Sequence, residues 1–185
     1  MNDTGRLFVA VDVPDGVRAG LAAWARSVVG SRDDLRLVAP EALHLTLVFL
    51  GDRPLARVPD IDAVMRAAVD GPVPLGLGDP LWLAPRRPHV LTVAVDDPAG
   101  ALGALHRVVE DALVSAGLVD RERRAFRPHV TVARVRRGAH VAATELPAPD
   151  PARFSAEGLT LYRSRLGRSG AQYEALATVA LPRPG

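Results

Sequence analysis

The sequence predicts a mixed α+β protein of two lobes, with two pseudo-symmetric antiparallel sheets facing each other across a groove and helices on the outside. Three observations predict it. Short apolar runs bounded by Gly, Pro and Asp recur along the chain as strand signals. Long stretches with apolar residues at helical spacing lie between them. The first strand–helix–strand passage also returns, 84 residues later, as a second one.

The elements follow in order. Leu7–Val13 is a strand-like run closed by Asp, Pro and Gly, and a helix follows over Asp15–Val29, with Val17, Leu21, Trp24 and Val28 on one stripe. A second strand runs over His44–Leu50, and a further helix lies around Val58–Val69. The Gly- and Pro-rich stretch Gly71–Pro80 connects the lobes and holds a short strand at Val73–Leu77. The pattern then repeats. Leu91–Gly100 matches Leu7–Gly16 at seven of ten positions. A helix over Ala99–Ala116 carries Leu102, Leu105, Val109 and Leu113 on one stripe. The strand His129–Val135 lies 85 residues after His44–Leu50. The polar residues match as well as the apolar ones, which argues for an internal duplication. The apolar region Phe154–Tyr162, an Arg/Ser/Gly loop and a last strand over Tyr173–Leu181 close the chain. In total the reading is seven to nine strands and three helices. They form a single domain over 1–185, made of two intertwined lobes with repeat units at about 6–51 and 90–135.

Composition narrows the class. Of the 185 residues 48% are hydrophobic, enough for a folded core. No apolar run approaches the ~20 residues of a membrane span, and Leu7–Val13 is short and carries Asp12, a strand rather than a signal peptide. The absence of cysteine excludes disulfides, thiolate metal sites and a cysteine nucleophile, and points to the cytoplasm. The net charge is +2, yet the sequence pI is about 9.9. The two values part because the chain has no lysine, and arginine hardly titrates. With a single isoleucine, Ile61, this composition fits GC-rich codon usage, so the high pI says little about nucleic acid.

The chemistry lies in two His-x-Thr motifs. In a strand, residues i and i+2 share a face, roughly 6–7 Å apart. His44 and Thr46 therefore share one face, as do His129 and Thr131, while Leu45, Leu47, Val130 and Val132 point into a core. If a pseudo-two-fold axis relates the halves, two imidazoles and two hydroxyls converge in the groove. Such a set suits phosphoryl chemistry. A neutral imidazole takes a proton from water, an imidazolium gives one to a departing oxygen, and hydroxyls donate to phosphate oxygens. A lone His or Thr in a strand is an ordinary residue; two copies at equivalent places in a repeat are not. Zinc is the competing chemistry, but neither histidine has a second His or a carboxylate within two residues, so no metal and no cofactor are expected. His89, His106 and His140 read as structural or exposed.

These motifs, with Arg6–Val11, His44–Gly51, Arg127–Arg134, Leu161–Leu166 and Gly170–Glu174, resemble the 2H phosphoesterases of the RNA 2′,3′-cyclic phosphodiesterase (LigT-like) family over nearly the whole chain. The resemblance implies a bilobal fold and hydrolysis of a 2′,3′-cyclic phosphate, at an RNA end or on a nucleotide, to a 2′-phosphomonoester. It implies that His44 is the general acid on the 3′ oxygen and His129 the general base on water, with Arg134 on the phosphate and Phe49 near the base. Strict alternation sets Phe49 and Arg134, each five residues after its histidine, on the apolar face. Phe49 then reads as core, and Arg134 reaches the groove only through a bulge or the strand end. Arg121, Arg123, Arg124, Arg127, Arg136 and Arg137 flank the second motif, as a positive rim for RNA or as a solvated loop. The expected form is a monomer with no membrane association. The rival readings are a non-catalytic RNA- or nucleotide-binding module, and a cyclic phosphodiesterase for a small nucleotide such as ADP-ribose 1″,2″-cyclic phosphate.

Overall fold

A computed structural model describes residues 3–30, 32–167 and 170–183. Nine strands and three α-helices occur among them, with two single 3-10 turns. The first half runs β1 (Thr4–Val11), α1 (Asp15–Val29), β2 (Leu35–Leu37), β3 (Leu45–Pro54) and α2 (Val58–Ala68). The second half runs β4 (Pro74–Leu83), β5 (Val90–Asp96), α3 (Ala101–Ser115) and β6 (His129–Val135). The chain ends with β7 (Arg153–Ser155), β8 (Gly158–Gly167) and β9 (Gly170–Ala180).

The helices lie where apolar periodicity sets them. α1 buries Leu21, Ala22, Ala25 and Val29; α3 buries Leu102, Leu105, Val109 and Leu113. α1 has the expected bounds, and α2 and α3 end within two residues of theirs. The apolar region 154–162 is broken at Ala156-Glu157 into β7 and β8, which join different edges: β7 pairs with β4, and β8 with β1. Of the Arg/Ser/Gly loop, residues 168 and 169 lie outside the described residues; Arg163–Gly167 continue β8 as a hairpin arm against β9. The three-residue β2, too short to carry a period, went unread in the sequence.

Two groups of four strands stand side by side, β7-β4-β5-β6 around the second half and β3-β1-β8-β9 around the first, with β7, β8 and β9 supplied by the end of the chain. The two groups touch at the antiparallel pair Leu45↔Val130, which makes the hydrogen bonding continuous from one to the other. The expected α+β arrangement of two antiparallel sheets is therefore present, curled about that junction. The halves also exchange partners. β2 of the first half pairs with β6 of the second, α1 packs on β6, and α3 packs on β3. One apolar cluster runs through both groups, from Leu7, Val9 and Leu45 to Leu91, Val130 and Leu161, each at most 1% exposed. Area bookkeeping gives ~2 kcal/mol for each such fully buried leucine or valine. The core thus fixes the faces of β3 and β6 on which the polar residues stand.

Candidate active site

Leu45 and Val130 are fully buried at the junction. Their neighbours His44, Thr46, His129 and Thr131 must then face the other way, and all four line one groove of ≈ 800 Å³. Extending the antiparallel register from Leu45↔Val130 sets His44 across from Thr131 and His129 across from Thr46. The two histidines then stand on a diagonal, roughly 7–8 Å apart at Cα. That spacing leaves room for a tetrahedral phosphate between the rings.

Both imidazoles are held in the same way. Nδ1 of His44 donates to the carbonyl of Ala42 at 2.8 Å, and Nδ1 of His129 donates to the carbonyl of Arg127 at 2.7 Å. A carbonyl only accepts, so Nδ1 carries hydrogen in each ring and Nε2 is the atom free for chemistry. The surroundings differ. His44 is packed 4.9 Å from Phe8 and 4.9 Å from Tyr173, the latter edge-on, with Tyr162 at 6.2 Å. Burial pushes the His44 pKa below the ordinary imidazole value; the Ala42 carbonyl opposes the shift, and Arg134 adds to it. Behind this cluster, Asp12 accepts hydrogen bonds from Thr160 Oγ1 at 2.6 Å and Tyr162 Oη at 2.9 Å. Burial and that carboxylate push the Tyr162 phenol up to about 12, so it stays a donor to Asp12.

Phe49 and Arg134 show where strict alternation fails. β3 carries an extra residue at Leu47, between the pairs Ala10↔Thr46 and Val9↔Val48. β6 carries one at Val132, between Thr92↔Thr131 and Leu91↔Ala133. Each bulge lies three residues after its histidine. Two consecutive residues then face the core, Leu47 with Val48 and Val132 with Ala133, all at most 6% exposed. The phase shifts by one, and position five returns to the groove. Phe49 is therefore not core but 65% exposed in the groove, and Arg134 lines the same space. The equivalent positions differ in chemistry: one half offers an apolar ring, the other a cation.

The arginines singled out beside the second motif do not line this groove. Arg121 pairs with Glu110 and Asp111, Arg124 pairs with Glu122, and Arg136 donates to the Leu35 carbonyl. Among the described residues, the groove's cations besides Arg134 are Arg6, Arg36, Arg163 and Arg165. Sequence reasoning missed these as site residues, along with Phe8 and Tyr173, because they come from strands far apart in sequence. Arg6, Arg163 and Arg165 did stand within the quoted family segments, as did Phe8 and Tyr173. His89 and His140 are exposed and His106 stacks on Phe126 at 4.1 Å, so none of the three enters the groove. Among the described residues, no three His, Cys, Asp or Glu side chains gather in a metal-holding arrangement, and no helix is long and apolar enough to cross a membrane.

The sequence profile of the 2′-5′ RNA ligase superfamily matches residues 13–168, which include both His-x-Thr strands. The chain belongs to the 2′-5′ RNA ligase superfamily. The family expected from the motifs, the 2H phosphoesterases, is the one to which the chain belongs. The RNA 2′,3′-cyclic phosphodiesterase of Methanothermobacter thermautotrophicus is 30% identical over 134 residues, 71% of each chain. That of Thermus thermophilus is 31% identical over 188 residues, covering 95% of this chain and 90% of its own. The crystal structure of apo Escherichia coli LigT superposes with a TM-score of 0.82 at 26% identity, over 98% of this superfamily member and 99% of LigT.

Proposed function

We propose that this protein hydrolyses 2′,3′-cyclic phosphates, at RNA ends or on nucleotides, to 2′-phosphomonoesters with His44 as general acid and His129 as general base. The observation that carries this reading is the matched pair of Nδ1–carbonyl hydrogen bonds, which leaves both Nε2 atoms for the groove beside two hydroxyls. His129 Nε2 takes a proton from water as the water oxygen bonds to phosphorus. The P–O3′ bond breaks, and His44 Nε2 delivers its proton to O3′. Thr46 and Thr131 donate to the non-bridging oxygens, and Arg134 balances their charge. Phe49 offers a face for the terminal base.

The low His44 pKa bears on this assignment. In the empty groove the ring is readily neutral. A cyclic phosphate carries one negative charge, and its entry beside His44 favours the imidazolium that an acid must be. A depressed pKa also makes the protonated ring the stronger donor. The relatives named RNA 2′,3′-cyclic phosphodiesterase support the substrate class. We also propose that the chain is a monomer of one domain with repeat units at about 6–51 and 90–135; the matched bulges and the shared core support the repeat. A cytoplasmic location suits an RNA substrate.

Incubation with 2′,3′-cyclic nucleotides and with cyclic-phosphate-ended RNA, in EDTA, tests the proposal. The expected product is the 2′-phosphate. Binding without turnover of any of them assigns the groove to a binding module instead.

A further inference from the structure

A second concavity of ≈ 680 Å³ lies outside the two-histidine groove, and its charge is of one sign. Arg86, Arg87, His89, Arg136 and His140 line it beside four uncharged residues, and no carboxylate among the described residues does. In a chain with 23 Lys+Arg against 21 Asp+Glu, a wall with no acid is not the average surface. Neither the Arg86 nor the Arg87 guanidinium has an acidic partner among the described residues.

The loop that presents them is stiff. It reads Ala84-Pro85-Arg86-Arg87-Pro88 between β4 and β5, and two prolines fix φ within it. Ala84, at φ +56°, is the one non-glycine residue with positive φ among the described residues. That conformation is strained for an alanine and persists only where its surroundings hold it. The Arg87 amide closes the turn on the Ala84 carbonyl at 2.8 Å. Opposite the loop, Arg136 is anchored through Nε to the Leu35 carbonyl at 3.2 Å, so its two terminal nitrogens remain as donors.

The concavity adjoins the catalytic groove through β6. Arg134 lines the groove, whereas Val135 and Arg136 line the second site. Two residues of strand span roughly 7 Å, so the cationic surface continues from Arg134 and Arg36 to Arg136, Arg86 and Arg87. A cyclic mononucleotide seated between His44 and His129 has no group to place there, but a polynucleotide has a phosphate at every residue. We infer that this concavity binds phosphates of the RNA chain upstream of the cyclic end, which makes an RNA end, rather than a free cyclic nucleotide, the preferred substrate. This rests on the hydrolase reading above.

Turnover of 2′,3′-cyclic AMP and of a single-stranded RNA octamer with a 2′,3′-cyclic end, by wild type and by the double variant Arg86→Ala/Arg87→Ala, tests it. The wild type is expected to show the higher kcat/KM on the octamer, falling with added salt. The variant should lose roughly 10-fold of kcat/KM on RNA, mainly through KM, and its salt slope should drop by about one per arginine removed. The cyclic mononucleotide is the internal reference and should change less than about twofold. Equal wild-type kcat/KM on both substrates, or an equal loss on both in the variant, overturns the inference. If wild type turns over neither substrate, the hydrolase reading fails. The site is then tested alone by fluorescence anisotropy with a 3′-phosphate RNA octamer. Weaker binding by the variant supports it, whereas unchanged binding, or equal binding of poly-glutamate, overturns it.

Discussion

Replacing His44 or His129 by Asn removes a proton carrier while keeping a polar side chain near the anchoring carbonyl. Each histidine is tied at Nδ1, so the change at Nε2 is the one that reaches the substrate. A general acid or base contributes roughly 10²–10⁴ in rate, which is about 2.7–5.4 kcal/mol of transition-state stabilisation at 1.36 kcal/mol per decade. The cost to folding is smaller. One hydrogen bond is worth about 1 kcal/mol, and at His44 the ring contacts with Phe8 and Tyr173, both at 4.9 Å, add about 1 kcal/mol more. For a chain of this size that is a Tm decrease of roughly 2–8 °C. Activity and stability therefore separate. The assay is steady-state hydrolysis of 2′,3′-cyclic AMP beside a thermal melt of each variant. Because both rings act in one transition state, the double variant should lose much less than the product of the single losses. A folded single variant that keeps kcat within tenfold of wild type would refute the two-histidine mechanism.

The remaining predictions follow from the same groove. The pH dependence of kcat/KM should be bell-shaped, with apparent limits that belong to the coupled pair. The depressed His44 pKa should draw one of the two limits below the ordinary imidazole value of 6.5, and a profile with both limits at or above that value counts against burial of His44 as the cause. The folded state binds fewer protons at His44 than the unfolded state, so stability is lost as pH falls through 6.5 toward the depressed value. His44→Asn should therefore show a smaller Tm decrease between about pH 7 and 5, and an unchanged decrease counts against burial as the cause. Phe49→Ala should raise KM and leave Tm within ~2 °C, since the ring is 65% exposed. Base stacking is worth about 1–3 kcal/mol, and an unaltered KM for cyclic nucleotides would remove Phe49 from the substrate site. Turnover should survive exhaustive EDTA treatment, because the groove's imidazoles and Asp52 do not gather into a metal-holding set of three among the described residues. Loss of activity restored by added zinc would move the protein to a metal-dependent class.

The periodicities settled much of this protein. A 3.6-residue stripe in α1 and α3 and a two-residue alternation through His44–Leu47 and His129–Val132 are local properties, and each specifies which side chains are buried. The duplicated His-x-Thr was legible for the same reason, since two residues of one strand share a face whatever surrounds them. Tertiary structure decided everything that depends on pairing. The bulges at Leu47 and Val132 exist only in register with β1 and β5, and they turn Phe49 and Arg134 from the core to the groove. Phe8, Tyr173, Arg6 and Arg163 join His44 because β1, β8 and β9 lie beside β3, an order that no local pattern encodes. The lowered His44 pKa likewise belongs to the fold, because it arises from desolvation by side chains more than a hundred residues away in sequence, Tyr162 and Tyr173 among them. A sequence specifies what each strand offers on its two faces; which offerings meet depends on strand order and register, and those are set by the packing of the whole core.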